Sequence, residues 1–144
     1  MKHVYADNNA TTAVAPEVVE AMLPYLTTAF HNPSSMYELA RGPSDAIAAA
    51  RRVIGEMLGG VLEQELIFTS CGTESNNAAL RGAARANPSR RHIITTAVEH
   101  PAVLEVCKAM VREGFEVDFV PVDTQGRIDL GAYVRALRPG STLI

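Results

Sequence analysis

The sequence predicts an α/β domain with a largely parallel sheet. From residue 65 onward, short apolar segments typical of strands alternate with longer segments whose apolar residues recur at helical spacing. Proline or aspartate stands where several of the helical segments begin, and glycine stands where others end. With 144 residues, 47% of them hydrophobic and 20% charged, the chain has the length and composition of one globular domain.

The first part of the chain predicts two helices. Residues 3–6 are a candidate short strand. Pro16 opens a helix to about Leu26, because proline suits the first helical position. A second helix is predicted from about Pro43 to the glycine pair at 59–60, which ends it. Its predicted buried stripe comprises Ala46, Ile47, Ala50, Val53, Ile54, Met57 and Leu58.

The second part predicts alternating strands and helices. Strands are expected at 65–69, 92–96, 115–122 and 142–144, with helices after Thr73, over 101–113 and after Asp129. Asp129 caps the last helix, and the break at 139–140 ends it. Its inward-facing residues are predicted to be Leu130, Tyr133, Val134 and Leu137. Because the final strand stops after about three residues, whereas parallel strands usually run ~5 or more, a truncated chain is expected.

Bulk properties exclude several classes of function. The net charge of −3 gives no indication of the basic surface that nucleic-acid-binding proteins use. The N-terminus lacks the apolar core of a signal peptide, and no apolar run is long enough to cross a membrane. The two cysteines fit a reducing compartment, so we expect a cytoplasmic protein. No cluster of His, Cys and Asp has metal-ligand spacing, and no metal site is predicted.

The loop at residues 70–75, Ser-Cys-Gly-Thr-Glu-Ser, is the first candidate site. It lies between a predicted strand and a predicted helix, where unpaired amides and the helix dipole favour an anion. The first amides of the helix would bind a phosphate, with Thr73 adding its hydroxyl. The alternative is an ordinary capping box with Thr73 as N-cap and Asn76 as its weak partner.

His100 is the second candidate. It precedes Pro101 at the start of a predicted helix, just past a strand's carboxyl end, where the helix dipole disfavours the imidazolium. A neutral ring can stack on a planar ligand or transfer a proton, whereas the alternative is a surface histidine without a role. No role is predicted for His3, His31 or His92, the last expected to face solvent. Cys71 is interpreted as a small packing residue and Cys107 as core.

Four motifs, in this order, resemble cysteine desulfurases, most closely those of the nitrogen-fixation (NifS) type in the class V aminotransferase superfamily. They are Asp7-Asn8-Asn9-Ala10-Thr11-Thr12, Asn32-Pro33-Ser34-Ser35, Ile67 to Ser75, and Val98-Glu99-His100-Pro101-Ala102-Val103. The resemblance extends from residue 3 to the end but covers only the first part of that family's longer chain.

The resemblance implies a fold type I, aspartate aminotransferase-like enzyme dependent on pyridoxal 5′-phosphate (PLP), normally a homodimer. Such enzymes convert L-cysteine to L-alanine and hold the sulfur as a persulfide for an iron–sulfur scaffold protein. Carried over by position, Gly72 and Thr73 would bind the cofactor phosphate, and His100 would stack on its ring and act in catalysis. Residues 1–15 would lie near the substrate entrance, and residues 16–144 would form an incomplete large PLP-binding domain.

The resemblance also places several functional groups beyond residue 144. These are the Schiff-base lysine, the persulfide-forming cysteine, the aspartate at the pyridine nitrogen and the arginine for the substrate carboxylate. Lys2 and Lys108 match no family motif, so this chain alone is expected to be inactive. A selenocysteine lyase or another class V enzyme is the alternative within the superfamily. A non-catalytic module that binds a phosphorylated ligand is the alternative from another class.

Overall fold

The computed structural model of the chain describes residues 3–139 and 141–143. The chain divides into two compact units, Met1–Ile67 and Phe68–Ile144. None of the helices formed by the described residues has both the length and the apolar character needed to cross a lipid bilayer.

The first unit is helical. Helix α1 spans Pro16–Thr27 and helix α2 spans Arg41–Met57, with short 3-10 helices at Glu38–Ala40 and Glu63–Glu65. Pro16 occupies the first turn of α1, so the predicted start of that helix is confirmed. Residues 3–6 form no strand, and that prediction is wrong. A strand needs a neighbour to pair with, and among the described residues no strand lies in this unit.

The end of α2 depends on glycine. Gly59 and Gly60 have φ values of 89° and 92°, which side-chain-bearing residues rarely adopt. This conformation lets the amides of Gly60 and Val61 both donate to the Gly55 carbonyl, at 2.9 and 3.1 Å. The predicted glycine stop is therefore confirmed, two residues after the last helical residue.

The predicted buried stripe of α2 is wrong. Only Pro43 and Gly55 are buried in this helix, and Val53 and Met57 are 52% and 81% exposed. Helix α1 likewise contains no buried residue. Periodicity identifies an apolar face, but burial requires a surface that covers it, and the described residues do not supply one here.

The second unit contains the sheet. Its elements are α3 (Gly72–Ala86), β1 (His92–Thr96), α4 (Pro101–Arg112), β2 (Glu116–Val120), α5 (Leu130–Ala136) and β3 (Ser141–Leu143). The strand order is β2-β1-β3, and both pairings are parallel. Ile93 on β1 is paired with Val117 on β2 and Thr142 on β3. The predicted α/β architecture with a parallel sheet is therefore confirmed.

The predicted strand at 65–69 is wrong. Glu65 ends a 3-10 helix, and residues 66–69 form neither helix nor strand. Leu66 has β-region angles, so the local conformation matches the apolar sequence. A strand is defined by ladder hydrogen bonds, however, and no described strand lies alongside to provide them.

The core of this unit lies where α3 and α4 meet β1. Ile93 and Cys107 are fully buried, and Leu80 and Met110 are nearly so. Ala84 and Val106 complete the cluster. The placement of Cys107 in the core is thus confirmed.

Helix α5 begins as predicted but is not packed as predicted. The Asp129 carboxylate accepts a hydrogen bond from the Ala132 amide at 2.9 Å, which confirms the cap. Leu130, Val134 and Leu137 are exposed rather than inward-facing, and only Tyr133 is half-buried. The apolar face of this short helix again lacks a covering surface within residues 3–139. Gly140 and Ile144, which belong to the predicted break and final strand, lie outside the described residues.

His92 is buried, which corrects the prediction that it faces solvent. Its Nε2 lies 2.8 Å from the Asp118 carboxylate on β2, and the residue is only 6% exposed. A buried imidazole needs a polar partner, and the neighbouring strand provides one. The place of His92 at the start of a strand therefore did not predict whether its side chain is exposed.

Candidate functional site

The loop at 70–75 and His100 lie at the same edge of the sheet. Helix α4 begins four residues beyond the carboxyl end of β1, and the 87–91 loop joins the end of α3 to the amino end of β1. Both helices therefore run antiparallel to β1, and Arg81 and Glu113 in their C-terminal parts are in contact. The N-termini of α3 and α4 consequently point toward the carboxyl edge, where α/β sheets bind ligands.

The first turn of α3 presents a free amide donor at Gly72. The helix begins at Gly72, with Cys71 as the N-cap, so Thr73 is the second helical residue. The interpretation of Thr73 as N-cap is wrong. Within the described residues, the Gly72 amide has no acceptor, whereas the Thr73 amide lies against the Cys71 thiol and lowers its pKa. A Cβ built on Gly72 would meet nothing within 4 Å, so this turn faces open space.

Side-chain hydrogen bonds hold the loop that precedes α3. The hydroxyl of Thr69 lies 2.6 Å from that of Ser75 and donates to the Cys71 carbonyl at 3.1 Å. The Ser75 amide donates to the same carbonyl at 3.1 Å. These contacts tie the loop to the helix, and they leave the Thr73 hydroxyl uncommitted among the residues described.

Glu74 places a negative charge beside the same helix terminus. One of its carboxylate oxygens accepts hydrogen bonds from the hydroxyl and the amide of Ser70, both at 2.7 Å. These bonds lower the pKa of the exposed Glu74 carboxyl, the hydroxyl contributing most. The carboxylate is thereby held toward the preceding loop by Ser70.

The two cysteines occupy opposite environments. Cys71 is exposed, which contradicts its interpretation as a packing residue. The Glu74 amide lowers the pKa of the Cys71 thiol, followed in effect by the Ser70 hydroxyl. Burial raises the pKa of the Cys107 thiol, and the negative charge of Glu99 raises it further. Only Cys71 is therefore placed to react with solutes.

His100 is fixed by its own helix. It is the N-cap of α4, and its Nδ1 accepts a hydrogen bond from the Ala102 amide at 3.1 Å. An accepting Nδ1 carries no proton, so this bond selects the neutral ring with its proton on Nε2. The Nε2 edge of the exposed side chain stays available to a ligand.

The loop that carries His100 contains a contact that sequence reasoning missed. The Thr96 hydroxyl donates to the Glu99 carboxylate at 2.9 Å, and the Ala97 amide donates to the Val120 carbonyl at 2.9 Å. The spacing Thr-x-x-Glu at 96–99 is the pattern of a capping box and could have indicated the first bond. The Ser70–Glu74 contact was missed as well, although its spacing of four residues is that of neighbours on a helix.

Residues 4–144 match the class-V aminotransferase family. A cysteine desulfurase from Cereibacter sphaeroides is 50% identical over all of this chain. The NifS cysteine desulfurase of Azotobacter vinelandii is 47% identical over 95% of it. A solved NifS-like protein superposes with a TM-score of 0.91 over 99% of the chain, at 36% identity.

The match is partial in one respect. The chain spans 38%, 34% and 39% of the lengths of these three proteins. It aligns with their N-terminal part, and the superposition confirms the predicted fold type as well as the NifS-like resemblance. The chain therefore belongs to the class-V aminotransferase family, and it aligns with the N-terminal part of proteins named cysteine desulfurases.

Proposed function

We propose that the protein to which this chain belongs is a PLP-dependent cysteine desulfurase. It would take L-cysteine as substrate, release L-alanine and pass the sulfur, held as a persulfide, to an iron–sulfur scaffold protein. The observation that carries this proposal is the exposed N-terminus of α3 with its free Gly72 amide and Thr73 hydroxyl, in a chain whose relatives are named cysteine desulfurases. A cytoplasmic homodimer is part of the same proposal.

The donor set at α3 fits the phosphate of PLP. The Gly72 amide, the Thr73 hydroxyl and the positive end of a 15-residue helix are groups of the kind that bind phosphate in α/β proteins. The open space beside Gly72 leaves room for the phosphate to approach the backbone. The Glu74 carboxylate opposes an anion here, because its two hydrogen bonds from Ser70 favour its charged form; the same bonds hold it toward the loop that precedes the helix.

His100 is assigned to the face of the PLP ring. Its neutral imidazole is presented at the carboxyl edge by the N-cap bond, and the Thr96–Glu99 bond stabilises the loop before it. A neutral ring with its proton on Nε2 can stack on a pyridine and can donate that proton in catalysis. When bound, PLP supplies an electron sink for bond cleavage at the substrate's carbon atoms. Residues 1–15 are placed near the substrate entrance by the same proposal.

Cofactor retention tests the phosphate site. In the whole enzyme, Thr73→Val removes the hydroxyl but keeps the branched shape, and we expect PLP to bind about tenfold more weakly. The measurement is a spectrophotometric titration of PLP into the apoenzyme. Thr124→Val, in an exposed turn, is the matched control and should bind normally. Equal affinity in both variants would place the phosphate elsewhere.

Two substitutions of His100 separate catalysis from helix capping. Asparagine is a good N-cap, so His100→Asn should preserve the stability of α4 while turnover falls. His100→Ala removes the N-cap and the ring together, so turnover should fall and the free energy of unfolding should also fall, by about 1 kcal/mol. Sulfide release from L-cysteine and thermal unfolding are measured on both whole-enzyme variants. Full activity in the asparagine variant would assign His100 a capping role only.

The substrate itself is tested by direct comparison. The whole enzyme is assayed with L-cysteine and with L-selenocysteine, with alanine as the common product. We expect alanine and sulfide from cysteine. Release of selenium with no sulfide from cysteine would replace the proposed activity by that of a selenocysteine lyase.

A further inference from the structure

A groove at the opposite edge of the sheet from the proposed cofactor site is lined by three arginines. It lies between the C-terminal parts of α3 and α4 and the loop that leads into β1, and it has a volume of about 200 Å³. Arg81, Arg85 and Arg91 contribute guanidinium groups, and Glu113 contributes the only carboxylate among its lining residues. The groove therefore has a local excess of two positive charges in a chain whose net charge is −3.

Two of the arginines are held in fixed positions. Arg81 donates through Nη1 to both oxygens of Glu113, each at 3.0 Å. Arg91 donates to the carbonyls of Glu113 and Gly114, at 2.8 and 3.3 Å. The guanidinium of Arg91 also lies 4.3 Å from the centre of the Phe115 ring. These bonds order the groove before any ligand arrives, which lowers the entropic cost of binding.

Arg85 is the arginine of the groove whose guanidinium has no partner among the described residues. It lies in the last turn of α3, is exposed, and makes no hydrogen bond or ion pair with any residue from 3 to 139. Of the apolar residues that line the groove, Ala84 and Met110 are buried in the core, and the half-buried Phe115 provides accessible apolar surface. A ligand for this groove thus needs a carboxylate or another anion next to an apolar group.

The size of the groove favours one kind of ligand. Sites that enclose small organic molecules typically measure about 300–1,000 Å³ and bury most of the ligand. An open groove of about 200 Å³ is too small for that but accommodates one side chain from a larger partner. We propose that the groove docks an acidic segment of a partner protein, with one Asp or Glu carboxylate on Arg85 and an adjacent apolar side chain against the half-buried Phe115.

The test uses the whole enzyme and a defined probe. The probe is a short fluorescein-labelled peptide in which glutamate alternates with leucine, and binding is followed by fluorescence anisotropy at low salt. We expect Arg85→Gln to weaken binding about tenfold and Arg85→Glu to weaken it further. Arg90→Gln, a neighbouring exposed arginine outside the groove, is the matched control and should bind like the unmodified enzyme. The same peptide with glutamine in place of glutamate should not bind.

Two results would overturn the proposal. One is peptide affinity that does not change in Arg85→Gln and Arg85→Glu, which would place acidic binding on another surface. The other is saturable binding of inorganic phosphate that depends on Arg85 and occurs without peptide binding, which would make this a small-anion site. Because Arg85 is exposed, both variants should retain the thermal stability of the enzyme, and sulfide release serves as an independent check that each is folded.

Discussion

At the scale of single residues, the thiols of Cys71 and Cys107 should differ sharply in reactivity. The pKa of Cys71 is lowered and that of Cys107 is raised, so at neutral pH the thiolate fraction is larger at Cys71. We expect iodoacetamide to alkylate Cys71 with a pH midpoint below that of an ordinary thiol, and to leave Cys107 unmodified until the protein unfolds. Peptide mapping by mass spectrometry at a series of pH values provides the measurement. Equal labelling of both residues in the folded chain would contradict these environments.

The sequence located the loop before α3 but did not predict its local geometry. The Gly72 amide has no acceptor among the described residues, whereas the Thr73 amide lies against the Cys71 thiol. The N-cap was misplaced because Thr73 is a better capping residue than Cys71 by side-chain chemistry alone. The burial of His92 depends on Asp118, 26 residues away, and a local pattern contains no information about such a partner.

Two glycines of helix α2 should respond oppositely to alanine. A Cβ at Gly55 would overlap the carbonyl oxygen of Val61, whereas a Cβ at Gly42 would meet nothing within 4 Å. Gly55→Ala should therefore destabilise the chain by about 1–3 kcal/mol, since the turn after the helix must shift. Gly42→Ala should stabilise it by about 0.5 kcal/mol through lower backbone entropy of the unfolded chain. Urea unfolding of both variants measures the difference, and destabilisation of equal size would refute the steric explanation.

Elements with local determinants were predicted well. Pro16 and Pro101 fixed the starts of α1 and α4, and Asp129 fixed that of α5. Elements that depend on distant partners were predicted poorly. Residues 66–69 have the composition of a strand but no described strand beside them, and the described part of the chain does not cover the apolar face of α2. Composition and periodicity encode the preference of a segment, whereas pairing and burial are properties of its surroundings.

Protection from hydrogen exchange should differ between the two units of the whole chain. Ile93 and Ile94 lie on the central strand, paired on both sides and 0% and 3% exposed. Helix α1 has no buried residue. In the 144-residue chain, amides of β1 should exchange slowest and those of α1 much faster, as mass spectrometry of peptic fragments would show. Comparable protection of α1 and β1 would mean that the apolar face of α1 is covered.

Catalysis by the 144-residue chain is a further test at this scale. Its lysines, Lys2 and Lys108, match no motif of the family, so L-cysteine mixed with the chain and PLP should yield no sulfide above the background of free PLP. The methylene blue assay for sulfide measures this. Release above background would show that the residues expected downstream are dispensable.

The strand order β2-β1-β3 also determines when the sheet can form during translation. The central strand leaves the ribosome first, and both of its neighbours are encoded later, at residues 116–120 and 141–143. Until residue 120 has cleared the exit tunnel, the apolar strand at 92–96 has no parallel partner, and the nascent chain must keep it from associating with other polypeptides. The interval between the emergence of residue 96 and that of residue 120 is thus when this strand most needs a ribosome-bound chaperone.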